Sequence, residues 1–362
     1  MIIGNLYANV MLKVGVFQNT GSVTGTVYNT NSNSIPFLGS NFAYANSIHV
    51  KSFYGYSQGT QTAYIAGGIV GTEPTGSPYV ASNNTVQSFP ISSPFATASN
   101  ITNMTKNSRG SIGISGVFYG YLMGGYTSTT ATNTNNYFPY ANPPAIAATP
   151  ANLTTAVFGL SGGSQNYQYG FLMGGITNAS TGGATTNIQR FQFATTLSFT
   201  SPGTIGFAGV GVSISSDTDA YVMGGVTANS ILVSTERHPM VTADTNVSLA
   251  NLTLTHYQGA GAQSPTTGYV MGGGNNTPGV GTTKTIESFP FSSPFSSTTN
   301  VGNLTYSGIL NAGTSGTSNA FSSWANSTVN TVDSFPYSSP FTTATSIGAL
   351  SGSTRLAAGV QA

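Results

Sequence analysis

The chain has no cysteine, which excludes a disulfide framework, a thiolate nucleophile and a Cys-ligated zinc, and leaves the redox compartment unread. Charge is the second scarcity. Eight Lys and Arg against seven Asp and Glu make 4% of 362 residues, where about 25% is ordinary. The net charge of +1 supplies no field to hold nucleic acid or an anionic membrane, since both need clustered basic residues. No stretch approaches the roughly 18 consecutive apolar residues of a spanning helix, so membrane insertion is not expected. The opening residues 1–10, MIIGNLYANV, lack the basic start and apolar run of a secretory signal. The expectation is therefore release by another route, such as lysis of a cell with a virus particle, or processing.

What fills the chain instead is 46 Gly, 19 Tyr and 20 Phe among abundant Thr, Ser and Asn. Hydroxyls and amides keep such a surface wet while aromatics and short aliphatics fill the interior. Disorder needs low hydrophobicity with high charge, and this is the reverse.

Self-similarity gives the architecture. An apolar phrase ending in Gly-Gly recurs as Tyr64-Ile65-Ala66-Gly67-Gly68, Tyr121-Leu122-Met123-Gly124-Gly125, Phe171-Leu172-Met173-Gly174-Gly175, Tyr221-Val222-Met223-Gly224-Gly225 and Tyr269-Val270-Met271-Gly272-Gly273. About twenty residues later come Val86-Gln87-Ser88-Phe89-Pro90, Ile188-Gln189-Arg190-Phe191, Ile286-Glu287-Ser288-Phe289-Pro290 and Val332-Asp333-Ser334-Phe335-Pro336. A third phrase, Asn-Leu-Thr at 152–154, 251–253 and 303–305, precedes a Gly-rich apolar segment. Each period of about 50 residues thus holds three or four short strands and no helix. Two weaker copies, Ala320-Phe321-Ser322-Ser323-Trp324 and Gly15-Val16-Phe17-Gln18-Asn19 with Ser34-Ile35-Pro36-Phe37, bring the count to seven. The C-terminal Leu356-Ala357-Ala358-Gly359-Val360-Gln361 reads like the strand that leads into a Tyr-Val-Met-Gly-Gly strand, yet none follows it. It is expected to close a ring by pairing with Val16-Phe17, which removes two sheet edges; the alternative has residues 2–10 in that slot.

This order of phrases resembles the Kelch repeat, in which each period is a four-stranded blade of a β-propeller. The resemblance implies an all-β fold: a propeller of seven blades, or six as the alternative, over residues 14–362, closed by strand 353–362, with residues 1–13 as an N-terminal arm or strand. Two departures stand out. Pro-Phe at Pro94-Phe95, Pro294-Phe295 and Pro340-Phe341 replaces the usual Trp, and the low charge argues against carrying over the family's adaptor role. The polar slot Asn33, Gln87, Asn136, Gln189, Glu236, Glu287 and Asp333 is expected to hydrogen-bond within its own blade.

Chemistry finds little purchase. Three of the seven carboxylates sit in that slot, Glu73 and Asp244 stand alone, and Asp217 with Asp219 is the one local pair, which reads as a solvated hairpin cap. His49, His238 and His256 lack metal-ligand spacing. A galactose-oxidase-like copper site needs a Tyr cross-linked to Cys, the sialidase Asp-box is absent, and the Gly-rich runs lead into no phosphate-binding helix. No catalytic residue, metal or cofactor is assigned, and the chain is read as a non-enzyme. The Asn-Leu-Thr sequons at Asn152, Asn251 and Asn303 recur at one repeat position and read as structural turns.

The functional expectation is a structural and binding component of a virion: a tailed-phage fibre, spike or capsid appendage, whose Gly- and Thr-rich composition it resembles. Such a protein would be part of an oligomeric assembly with other virion proteins and attach to host-surface glycans, located on the virion or outside the cell. A secreted or surface lectin-like adhesin is the alternative, and a propeller enzyme a third class. Loops 71–84, 127–136, 178–186 and 275–283 follow the Gly-Gly strands and are expected on one face of the ring. Within them Tyr79, Asn83, Asn84, Asn133, Asn135, Asn178, Asn275 and Asn276 are the candidate ligand contacts, because aromatic faces stack on sugars and amides hydrogen-bond their rims.

Overall fold

The computed structural model describes residues 26–28 and 34–36 and, between 62 and 361, all but 71–81, 93–94, 117, 128–129, 141–150, 160–162, 167, 179–182, 194–198, 207–210, 226–229, 241–245, 276–280, 293–297, 310, 326–329, 339–342, 352–353 and 356. The chain divides into two compact units, Met1–Tyr54 and Gly55–Ala362. The larger is a six-bladed β-propeller.

Each blade is an antiparallel meander running outward from the axis. In blade five the inner strand Ala260–Gln263 pairs with the second strand Thr267–Gly274, that with the third strand Thr282–Pro290, and that with the outer strand Thr299–Asn303. Blade six repeats this with Ala312–Ser315, Asn319–Ala325, Asn330–Pro336 and Thr345–Gly348. Blade four uses Val212–Ser215, Asp219–Met223, Thr235–Pro239 and Val247–Ser248, and blade three Ser164–Gln165, Tyr169–Met173, Asn187–Gln192 and Phe199–Thr204. Three strands of blade two are described: Ile112–Ser115, Tyr119–Met123 and Asn135–Pro139.

Blade one joins the two ends of the ring. Its inner strand is the C-terminal Ala358–Gln361, paired with Thr62–Ala66, and Thr85–Pro90 and Ser99–Asn103 complete it. Closure by the C-terminal strand is as expected, but the partner is the copy at Tyr64 and not Val16-Phe17, so the blades number six and not seven. Val16-Phe17 and residues 2–10 lie outside the described residues. The seventh count had a cause. In the N-terminal unit Thr26, Val27 and Tyr28 pair with Pro36, Ile35 and Ser34, the register in which Thr62, Ala63 and Tyr64 meet Pro90, Phe89 and Ser88. Thr26–Tyr28 and Ser34–Pro36 therefore pair in a blade-like register within a unit of their own.

The repeated phrases build the joints between blades. In all five Gly-Gly pairs both residues have φ between 60° and 110°, a region that side chains disfavour. This turns the chain so that the second glycine's N–H reaches the next blade: Gly68 donates to Ser108 O, Gly125 to Val157 O and Gly273 to Gly308 O. The aromatic opening the Gly-Gly phrase packs into the third strand of the following blade. Tyr64 meets Phe138 and Tyr140, Tyr121 meets Phe191 and Phe193, Tyr221 meets Phe289 and Phe291, and Tyr269 meets Phe335 and Tyr337. Phe321 packs against Phe89 and Phe95 to close the ring, and Phe171 against His238. Each such buried ring contributes on the order of 2–3 kcal/mol.

The polar slot bonds within its blade where Thr298 donates to Glu287 and Thr331 to Asp333, as expected, and it also works between blades; Asn33 lies outside the described residues. Asn136 accepts from Thr105 N and Oγ1 at 3.1 and 2.6 Å, and Gln189 from Thr154 Oγ1 and Thr155 N at 2.8 and 3.0 Å. Glu236 accepts from Gly206 N, Glu287 from Thr253 N and Oγ1, Asp333 from Thr305 N and Oγ1, and Gln87 from Ser351 N and Oγ. In every case the donor is in the turn that leaves the preceding blade. That turn has backbone N–H groups to satisfy; carbonyls of its own blade take some, as Asn84 O takes Met104 N, and the slot of the adjacent blade takes others.

At the axis the inner strands crowd together. A Cβ on Gly113 would lie 2.2 Å from the carbonyl oxygen of Gly359, one on Gly359 2.3 Å from that of Gly313, and one on Gly313 2.1 Å from that of Gly261. Glycine is required here because a neighbouring backbone occupies the space of a side chain. The last inner-strand residue alternates around the ring as Gln361, Ser115, Gln165, Ser215, Gln263 and Ser315. Each Gln backbone N–H donates to the next Ser hydroxyl, Gln165 to Ser215, Gln263 to Ser315 and Gln361 to Ser115, at 2.8–3.0 Å.

Candidate binding site

A propeller offers an axis and two ends. The axis holds a cavity of about 30 Å³ lined by Ser111, Gly113, Gly261, Asn311, Gly313 and Gly359 among others, room for one or two waters and far below the roughly 300 Å³ of a small-molecule site.

At the loop end, where the Gly-Gly strands lead, the sequence-predicted contacts lie on different blades and mostly serve the backbone. Asn83 Oδ1 accepts from Thr85 N and Oγ1, both at 2.8 Å, and Asn84 Nδ2 donates to Met104 O at 3.2 Å. The Asn133 carbonyl accepts from Leu153 N. Asn135 is fully buried, its Nδ2 donating to Ala151 O and its Oδ1 accepting from Gly124 N. Asn178 ends the strand Ile176–Asn178, and Asn275 is exposed with its N–H donating to Gly281 O. Tyr79 and Asn276 lie outside the described residues. Among the described residues, Asn83 and Asn84 belong to blade one, Asn133 and Asn135 to blade two, and Asn275 to blade five.

A fully buried polar pair is also part of a joint. His256 and Glu287 are both fully buried; His256 Nδ1 lies 2.6 Å from Gly272 O and Nε2 3.2 Å from Glu287 Oε1. Burial pushes the Glu287 carboxyl up, but hydrogen bonds from His256, Thr298 and Thr253 outweigh it and bring the value down to about 2. Both ring nitrogens lie within hydrogen-bond distance of an oxygen in blade five. The pair fixes the joint between blades four and five. At Asp333 burial outweighs the bonds from Thr305 and Thr331 and raises the carboxyl. Among the described residues no three His, Asp or Glu side chains group as metal ligands.

The opposite end carries the hairpins between inner and second strands, and here the blades stop being alike. The residue opening the second strand is Thr62, Tyr119, Tyr169, Asp219, Thr267 and Asn319 in blades one to six. The third-strand residue opposite the packed aromatic is Ser88, Tyr137, Arg190, Arg237, Ser288 and Ser334. Two positions apart on a strand share a face, so these residues meet diagonally on the side turned to the next blade. In blade six the pair is a hydrogen bond, Asn319 Nδ2 to Ser334 Oγ at 2.6 Å. In blade two Tyr119 stands edge-on to Tyr137 at 5.3 Å, in blade three the Arg190 guanidinium lies 4.8 Å from the centre of the Tyr169 ring, and in blade four Arg237 Nε is 3.7 Å from Asp219 Oδ1. Phe118 in the blade-two hairpin is 48% exposed and Tyr119 39%, and Tyr121 beneath Tyr119 continues the aromatic packing into blade three. In blade four burial and the Asp219 charge push the Tyr221 hydroxyl up to about 12.

One half of this end thus bears aromatic and charged side chains and the other half Ser, Thr and Asn. Reading the loops alone misses it. Aligning the repeats and comparing the residue two before each packed aromatic would have found it.

No family model and no curated protein sequence matches the chain. Among solved structures it is similar to that of YjhT, with a TM-score of 0.51 and 10% identity over 62% of this chain and 74% of that one. At that identity the likeness shows the fold alone: the chain is a six-bladed β-propeller.

Proposed function

We propose that this protein is a non-catalytic binding and structural component of a virion, a tailed-phage fibre, spike or capsid appendage that attaches to host-surface glycans. The observation that carries the binding part is the half-face of Phe118, Tyr119, Tyr137, Tyr169, Arg190, Arg237 and Asp219 on three consecutive blades. Exposed rings beside hydrogen-bonding groups suit sugars, which present an apolar C–H face and a polar rim. The non-catalytic part draws on the use of carboxylates as struts: Glu236, Glu287 and Asp333 hold turns, and Asp219 pairs with Arg237. The virion part draws on composition, a surface of Ser, Thr, Asn and Gly with 4% charge, which opposes self-association little. The Gly-Gly and Phe-Pro phrases support a Kelch-like reading of the blades.

Mass spectrometry of density-purified particles from the producing culture, with antibody-gold labelling, tests the proposal. Stoichiometric presence on particles with label at the tail or capsid surface is the expected result. Intact protein found free in the medium and absent from particles would refute the virion role and favour an adhesin.

A further inference from the structure

We propose that the ligand of the hairpin end is an acidic polysaccharide, and that Arg190 receives its carboxylate. The inference rests on the binding reading above and names the chemical class of the ligand.

The molecule contains its own comparison. Arg190 in blade three and Arg237 in blade four stand at the same repeat position, opposite Phe171 and Tyr221. In blade four the residue opening the second strand is Asp219, and its carboxylate neutralises Arg237. In blade three that residue is Tyr169, and the guanidinium lies against its ring. No carboxylate of the described residues lies within 4 Å of Arg190. A ring face attracts a guanidinium without using up its N–H donors, which stay able to take a carboxylate two-pronged.

One other guanidinium among the described residues lies over a ring, Arg109 over Tyr126 at 5.0 Å, but it sits in the turn that leaves blade one, whereas Arg190 occupies the repeat position that Arg237 holds beside a carboxylate. The ligand's carboxylate would take the part in blade three that Asp219 takes in blade four. The adjoining blade supplies the other half of the recognition. Phe118 and Tyr119 offer exposed ring area on blade two, joined to blade three through the stack of Tyr121 on Phe193. A sugar polymer lying across the joint places one residue on these rings and an acidic neighbour at Arg190. Such binding weakens with salt, since the charge contact is solvent-facing.

The test is an immobilised array of carboxylated bacterial surface polysaccharides beside the same polymers after reduction of the carboxyl groups to alcohols, probed with the full chain. Retention of the far-ultraviolet and melting profiles is checked for each variant. The expected result is that carboxyl reduction and Arg190→Gln each lower binding of the best polymer at least tenfold, and that Arg190→Gln no longer discriminates native from reduced polymer. Lys284→Gln removes a charge from an exposed position elsewhere and leaves discrimination intact. Tyr119→Ala weakens both polymers alike. Equal binding of native and reduced polymers, unaffected by Arg190→Gln, would overturn the acidic-ligand inference while the glycan reading stands. If the folded native chain binds no polymer of either kind, the glycan reading fails and takes the inference with it.

Discussion

Replacing Glu287 by Gln probes a buried carboxylate whose hydrogen bonds join two blades. The slot itself tolerates an amide: Gln87 and Gln189 accept the equivalent turn N–H and hydroxyl in blades one and three. What the amide lacks is the carboxylate's charge, which strengthens the hydrogen bonds that Glu287 makes with Thr253, Thr298 and His256 inside a fully buried site. The carboxyl falls from the ordinary 4.5 to about 2, and that difference corresponds to about 3 kcal/mol of folding stability at neutral pH. The sign follows from the direction. A depressed acid stabilises fully above its unfolded value, so this contribution is present above about pH 4.5 and is lost as pH falls toward about 2. Asp333, raised by burial, acts in the opposite sense, so the informative quantity is the difference between wild type and variant. Urea melts from pH 2 to 7 should show Glu287→Gln less stable by about 3 kcal/mol at pH 7, with the gap closing toward pH 2. The double change Glu287→Gln with His256→Ser puts at this joint the Gln of blade one and the Ser108 type found at the matching turn position. It should recover part of the loss. A gap below about 0.5 kcal/mol at pH 7, or one that does not vary with pH, would refute the reasoning.

Other perturbations probe the ring. Removing residues 1–54 should leave a cooperatively melting propeller, because the strands of all six blades lie between Thr62 and Gln361; loss of the melting transition would contradict the assigned closure. Val360 is fully buried in the closing strand against Tyr64 and Phe138, so Val360→Ala should cost about 2 kcal/mol in denaturant melts and Val360→Asp should abolish the folded state. Gly313→Ala meets the Gly261 carbonyl at 2.1 Å, which is backbone and cannot swing aside. A loss of at least about 2 kcal/mol is expected, whereas Gly203→Ala, with nothing within 4 Å of the new Cβ, should change little.

Strands, period and blade composition were legible because each phrase has a local physical cause. Gly-Gly marks a left-handed turn, alternation around Tyr-Val-Met marks a strand packed on both sides, and Phe-Pro marks where a ladder ends. Which copy closes the ring was not legible. Thr26-Val27-Tyr28 with Ser34-Ile35-Pro36 satisfies the same local register as the blades, and membership of the ring depends on contacts across its full circumference. The polar slot misled for a related reason. Gln87 and Ser351 are bonded 264 residues apart, and no short window of sequence contains both partners.

The candidate site was less legible because the loops that follow the Gly-Gly strands are rich in Asn and draw attention to the other end of the ring. Those amides are abundant for a structural reason: Asn83, Asn84 and Asn135 hold turn and loop backbone at joints repeated around the ring. In a repeat protein the columns that stay alike are explained by the ring, and departures that reach solvent require another cause. Glu287 with His256 departs but is buried, and its effect is confined to one joint. Tyr119 with Tyr137, Tyr169 with Arg190 and Asp219 with Arg237 depart together, on adjacent blades and at one end. The ring demands none of these pairs, since Thr62 with Ser88 and Thr267 with Ser288 occupy the same positions in blades that fold equally well. A ligand spanning blades two to four supplies a reason for all three departures at once.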